Sequence, residues 1–242
     1  MRCTKPPEDA PLADYVVYGS PLSPFVRKVV AVLHHAGVAY DFENVNIMDM
    51  PDWFKEISPA QRIPVLRDRT VGEEGVPGTI ADSSAICLYL DRKLDLGLYG
   101  RTAFDAGRAT WFEEYADSSV AVPLGMGLFR PLIFPRFAGG APDLDTAKKT
   151  WNETLPPVFD YLEQSLDGRE HFVGGVFSIA DIAVASQLTQ LELVAGSPDG
   201  ARFPTLAAHL AATKARPGFV ENLAVCGKML AAIMPEPADL SA

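Results

Sequence analysis

The sequence predicts a small α/β unit followed by an all-helical half, on three observations. From Tyr15 to Leu94, short apolar runs suited to strands alternate with helical spacing. Beyond Leu94 the apolar spacing is helical throughout, and the stretch Asp95-Leu96-Gly97-Leu98-Tyr99-Gly100 separates the two patterns with glycines. The bounds that follow are a flexible tail over 1–13, an α/β domain over 14–94, a linker over 95–103 and a helical domain over 104–234.

Tyr15-Val16-Val17-Tyr18 reads as a buried strand. The helix after it runs from Pro24 to Ala36, because Ser23 is a favoured cap, Pro24 a favoured first residue and Gly37 a favoured stop. A strand over Tyr40 to Val45 follows, then an irregular stretch with Asp52-Trp53-Phe54, then a strand over Pro64 to Arg67. Asp68 to Gly78 is rich in charge and glycine, which predicts a long surface hairpin before the short edge strand Thr79-Ile80. A helix starts near Ser83.

In the second half, long helices are expected around Phe104 to Val122, Leu144 to Leu166 and Ile179 to Val194, with shorter ones at Pro204 to Ala215 and Pro217 to Leu223. Pro156-Pro157 cannot supply amide donors, so the second long helix should kink or break there. Ser178 and Asp181, three residues apart, have the spacing of a capping box and a structural role. The stretch Val122 to Phe137, apolar and interrupted by proline and glycine, has two readings: the wall of an apolar pocket, or packing and loop between helices.

Composition narrows the partners. Twenty-one cations against 31 anions give a formal charge of −10, which leaves no broad basic surface for nucleic acid or an anionic membrane. No apolar run is read as long enough to span a bilayer. Cys3, Cys87 and Cys226 form no C-x-x-C pair and stand near no histidine cluster, so a reducing compartment, the cytoplasm, is expected and a metal site is not.

Three segments carry chemistry, each with two readings. Ser23 is a hydroxyl at a helix mouth: a plain cap, or a donor to a bound thiol, which the unpaired amides and the helix dipole would help to ionise. Ile63-Pro64 enters a strand: a trans proline that begins it, or a cis bond that turns backbone groups outward to pair with an extended peptide. Asp82-Ser83 opens another helix: a cap, or a carboxylate for an ammonium beside a hydroxyl and amides for a carboxylate. Together they fit a zwitterionic peptide thiol.

In this order and spacing the chain resembles the cytosolic glutathione transferase family over about residues 14 to 225. The resemblance implies a thioredoxin-like N-terminal domain and an all-helical C-terminal domain. Tyr18-Gly19-Ser20-Pro21-Leu22-Ser23-Pro24-Phe25 resembles the turn of the serine-type classes, whose catalytic serine corresponds to Ser23, with Ser20 as the neighbouring rival. By the same resemblance Pro64 is the family's cis-proline, Ile63 pairs with the cysteinyl backbone of glutathione, Asp82 and Ser83 hold the γ-glutamyl group, and Arg62 stands near the glycyl carboxylate. Ser178 and Asp181 match the motif that the family uses for folding.

Glutathione is then the co-substrate, with no metal, and the partner is a small hydrophobic electrophile held by Pro21 and Leu22 with Phe112, Tyr115 and Ala116 of the helical domain. A homodimer with a detoxification role is implied. The absence of cysteine from Ser20 to Phe25 argues against the thiol reductases of the cysteine-using classes. The alternative is a binding or regulatory protein that keeps the scaffold without the reaction.

Overall fold

The computed structural model describes residues 12–240. All but the last two residues of the tail read over 1–13, and Cys3 with them, lie outside the described residues. The described residues form two units, an α/β unit of residues 12–96 with Pro217–Asn222 and a helical unit of Gly97–Arg216 with residues 223–240. Pro217–Asn222, from the range read as helical domain, thus packs with the first unit.

The α/β unit is thioredoxin-like. Its strands are β1 (Tyr15–Gly19), β2 (Tyr40–Asn44), β3 (Val65–Asp68) and β4 (Thr79–Ala81), in the sheet order β2-β1-β3-β4. β1 runs parallel to β2 and antiparallel to β3, and β4 is antiparallel to β3. Helix α1 (Pro24–Ala36) has the bounds its cap, proline and glycine predict, and Gly37 ends it at φ 67°, where a side chain would be strained. Helix α3 spans Ser83–Leu94. The stretch expected to be irregular is instead the short helix α2 (Asp52–Ile57), which turns Phe54 and Ile57 onto a core of Val16, Tyr18, Val45 and Val65. Pro51 at its N-cap offers no capping side chain, so the sequence lacks the cap that marks a helix start and keeps only Asp52 in the first turn.

The long hairpin is held from inside. Arg67, buried on β3, donates to the carbonyls of Gly72 (3.1 Å), Gly75 (2.8 Å) and Pro77 (3.0 Å) and to the Tyr18 hydroxyl (3.2 Å). Beside it, buried Asp68 accepts from Tyr89 (2.7 Å), the Thr70 hydroxyl (2.5 Å) and Lys93. Burial pushes the Asp68 carboxyl up, but the bonds from Lys93, Thr70 and Tyr89 outweigh it and bring it down to about 2.

The helical unit begins with α4 (Ala103–Tyr115), which continues through π-helical turns at Ala116–Val120 and Pro123–Phe129 into α5 (Arg130–Phe137). The stretch Val122 to Phe137 is therefore helix rather than loop. The wide turns accommodate Pro123 and Pro131, which cannot donate to the ladder. By length and composition alone the resulting 35-residue helical run would suffice to cross a membrane, whereas the sequence ends the expected helix at Val122. Its face of Ala109, Phe112, Ala116, Val120, Leu124, Leu128 and Leu132 is buried within this unit.

Helix α6 (Leu144–Lys149) passes through a third π turn, Thr150–Thr154, into α7 (Leu155–Leu166), so the disturbance expected from Pro156-Pro157 falls one turn ahead of them. Helix α8 (Ile179–Val194) is the central helix, nearly all of it buried. Helix α9 (Pro204–Lys214) and helix α10 (Pro217–Leu230) complete the fold, and α10 runs seven residues past its expected end at Leu223.

Candidate functional site

The sheet register gathers the three candidate segments. Tyr18 pairs with Val65 and Val65 with Ala81, so one row crosses β1, β3 and β4 near one end of the sheet. The chain leaves β1 towards Ser23, enters β3 from Pro64 and leaves β4 into Asp82. Antiparallel pairing brings all three connections out at the same end.

Ser23 caps α1 with an extended backbone (φ −78°, ψ 126°), and its Oγ accepts from the Val26 amide at 3.4 Å. That bond uses an oxygen lone pair and leaves the hydroxyl proton for a ligand. No acidic residue stands in the first turn of α1, so the positive end of its dipole is uncompensated there. The preceding turn closes with the Ser23 amide donating to the Ser20 carbonyl at 3.0 Å.

The Ile63-Pro64 bond is cis. Arg62 before it is exposed and Ile63 half-buried. Ser58, which the sequence reading passed over, is buried and holds this backbone twice: its Oγ donates to the Arg62 carbonyl (2.8 Å) and accepts from the Arg62 amide (3.1 Å). A serine a few residues ahead of a proline is too common a pattern to have marked it.

Asp82 caps α3 at φ 89°, a backbone that side chains rarely adopt, and its Oδ1 accepts from the amides of Ser84 (2.9 Å) and Ala85 (3.2 Å). The side chain is exposed, so carboxylate capacity remains for an external cation. Ser83 is buried in the first turn. Lys28, also buried, donates to the Ser84 hydroxyl at 3.0 Å. The signal for Lys28 lies in its helix: Val29 to Leu33 has no polar face, so the middle of α1, Val26 to Leu33, is buried all round and the cations Arg27 and Lys28 need partners inside the fold.

Of the residues read as an electrophile surface, Pro21 is buried and Leu22 half-buried in the α/β unit. In the helical unit, Phe112 and Ala116 are fully buried, the Phe112 ring lying 4.8 Å from Phe172. Tyr115 is half-buried 4.6 Å from the ring of Tyr161, and burial raises its phenol above the ordinary value. Ser178 and Asp181 form the expected capping box, with Asp181 accepting from the Ser178 amide (2.8 Å) and hydroxyl (3.0 Å). Among the described residues, no three His, Cys, Asp or Glu side chains group to hold a metal.

Comparison with known proteins matches both units in the same order. The family model for the glutathione S-transferase N-terminal domain matches residues 22–93, and that for the C-terminal domain residues 138–224. Glutathione S-transferase 3 of Zea mays is 30% identical over 222 residues, covering 88% of this chain and 95% of the maize protein. Elongation factor 1-gamma of Schizosaccharomyces pombe is 29% identical over 167 residues, 69% of this chain, and the match spans only 38% of that protein. In fold, the chain is similar to Ure2p5 from Phanerochaete chrysosporium, cocrystallized with 1-(S-glutathionyl)-2,4-dinitrobenzene, at a TM-score of 0.75 with 21% identity over 93% of this chain and 100% of that one. With both halves matched and the maize relative covered almost end to end, this chain belongs to the glutathione transferase family.

Proposed function

We propose that the protein joins glutathione to small hydrophobic electrophiles, with Ser23 donating a hydrogen bond to the glutathione sulfur. The register that brings the Ser23, Pro64 and Asp82 connections to one end of the sheet carries this reading, because a tripeptide laid along that end meets all three. Asp82 then receives the γ-glutamyl ammonium, and Ser83 with the first amides of α3 takes its carboxylate. The backbone of Ile63 pairs with the cysteinyl residue, and Arg62 faces the glycyl carboxylate.

At Ser23 the hydroxyl and the first turn of α1 favour thiolate over thiol, and a lowering of about two pH units corresponds to about 2.7 kcal/mol. The thiolate attacks the electrophilic carbon, a carbon–sulfur bond forms, and the leaving group departs with its electron pair while the thiol proton passes to solvent. Leu22, half-buried beside Ser23, supplies apolar contact for the electrophile.

Ser23→Ala tests the assignment. Conjugation of an aryl halide should fall about 100-fold, about 2.7 kcal/mol in the barrier, while glutathione affinity by calorimetry stays within a few fold. Undiminished turnover removes Ser23 from the mechanism and passes the role to Ser20, tested by Ser20→Ala.

The similarity to elongation factor 1-gamma favours one second reading, a non-catalytic binding or regulatory protein. Glutathione binding without turnover across aryl halides, epoxides and hydroperoxides would select it. Of the remaining proposals, the cytoplasmic location is supported by the cysteine usage, while the homodimer and the detoxification role are supported by family resemblance, and sedimentation checks the dimer.

A further inference from the structure

We propose that Asn222 is a positioning residue for thiol activation, locking the turn that presents Ser23; this rests on the reading of Ser23 given above. Asn222 lies on α10 in the stretch Pro217–Asn222, which packs with the α/β unit, and it is fully buried. A buried primary amide is costly unless both its ends are bonded, and here both are. Arg27 Nε donates to Asn222 Oδ1 at 2.6 Å, and Asn222 Nδ2 donates to the Pro21 carbonyl at 3.0 Å. The orientation follows from chemistry, since a guanidinium has only donors and must face the amide oxygen, which turns the NH2 group to Pro21.

Pro21 and Leu22 are the two central residues of the turn closed by Ser23 on Ser20. The peptide plane between them is the one that reverses when a type I turn becomes type II, and the type II form needs a positive φ at Leu22. Among the described residues, the non-glycines with positive φ are Gln61, Asp82, Asp95 and Asp167, so Leu22 is in the other form. A donor fixed on the Pro21 carbonyl opposes that reversal. Arg27, the other partner of Asn222, also closes the first turn of α1, its amide donating to the Ser23 carbonyl at 3.0 Å. One side chain therefore ties the residues before Ser23 to the helix after it, across 201 and 195 positions of sequence.

The reading separates two roles for Asn222. Asn222→Asp keeps the acceptor for Arg27 and the volume but sets an oxygen against the Pro21 carbonyl, whereas Asn222→Ala deletes both bonds. The measurement is the ultraviolet titration of the thiolate in the glutathione complex, over about pH 6 to pH 9, alongside the pH profile of conjugation.

In the unaltered protein the midpoint should lie below that of free glutathione. In both variants it should rise by about one pH unit, with turnover on the acid side falling about tenfold and the KM for glutathione within about threefold. A midpoint unchanged in Asn222→Asp, or moved only in Asn222→Ala, assigns Asn222 to Arg27 or to packing and overturns the proposal. An unaltered protein whose bound thiol titrates like free glutathione overturns the Ser23 reading, and the positioning role falls with it. Amide exchange on the unaltered chain decides the case should both variants fail to fold. The Ser23 amide should exchange as slowly as those of β1, and fast exchange refutes the lock.

Discussion

Two helix starts in this chain use the same pair of residue types and spend them in opposite ways. At α8, Asp181 is completely buried, and its oxygens accept from the Ser178 amide and hydroxyl, from the Phe172 amide at 3.1 Å and from His209 Nε2 at 2.9 Å. At α3, Asp82 is exposed, caps through Oδ1 alone and sits beside Ser83 on a positive-φ backbone. The first carboxylate is consumed by the fold; the second keeps capacity for something outside it. Residue type alone does not separate a folding motif from a ligand site. Burial and unspent hydrogen-bonding capacity do.

The widest way to break this contrast is to treat the two acids alike. Asp181→Ala leaves several buried donors without an acceptor and should cost about 4 kcal/mol, lowering the melting temperature by roughly 10 °C, read by calorimetry. If Asp181→Ala melts with the parent, the motif is ornamental and the contrast fails.

Asp68 tests whether a carboxylate of the α/β unit can be spent in the same structural way. Its folded value of about 2 lies below the ordinary 3.8, so its contribution is complete above about pH 4 and is lost as the pH falls towards 2. That contribution should be about 2 kcal/mol, seen in denaturant midpoints across this range, and Lys93→Met should abolish most of it.

Asp82→Asn should do the reverse of Asp181→Ala. Asparagine caps as well as aspartate and tolerates positive φ, so stability should hold, while loss of the charge should weaken glutathione binding about tenfold, about 1.4 kcal/mol. The smallest effect belongs to the stability of Ser23→Ala. The 3.4 Å cap bond is long, and its removal should cost under about 1 kcal/mol in urea unfolding even where turnover collapses.

What the sequence disclosed follows the same division between local and distant causes. Helices α1 and α8 have the bounds that their caps and apolar spacing dictate, since those signals lie within a few residues of each end. Ser23, Pro64 and Asp82 were legible as connections, but the shared sheet end they occupy is a matter of register across β1, β3 and β4. The π turns could not be read, because proline marks a disturbance without saying whether the helix breaks or widens. Asn222 was invisible for a stronger reason: its meaning lies in Pro21 and Arg27, to which no local pattern connects it.

The grip of Arg67 has an engineering consequence. It takes hold of the segment 72–77 through main-chain oxygens only, so the identity of Glu73, Glu74 and Val76 is immaterial to that grip. A short epitope spliced between Glu73 and Glu74 would hang from an anchored base, giving a handle for immobilising the protein without touching the sheet.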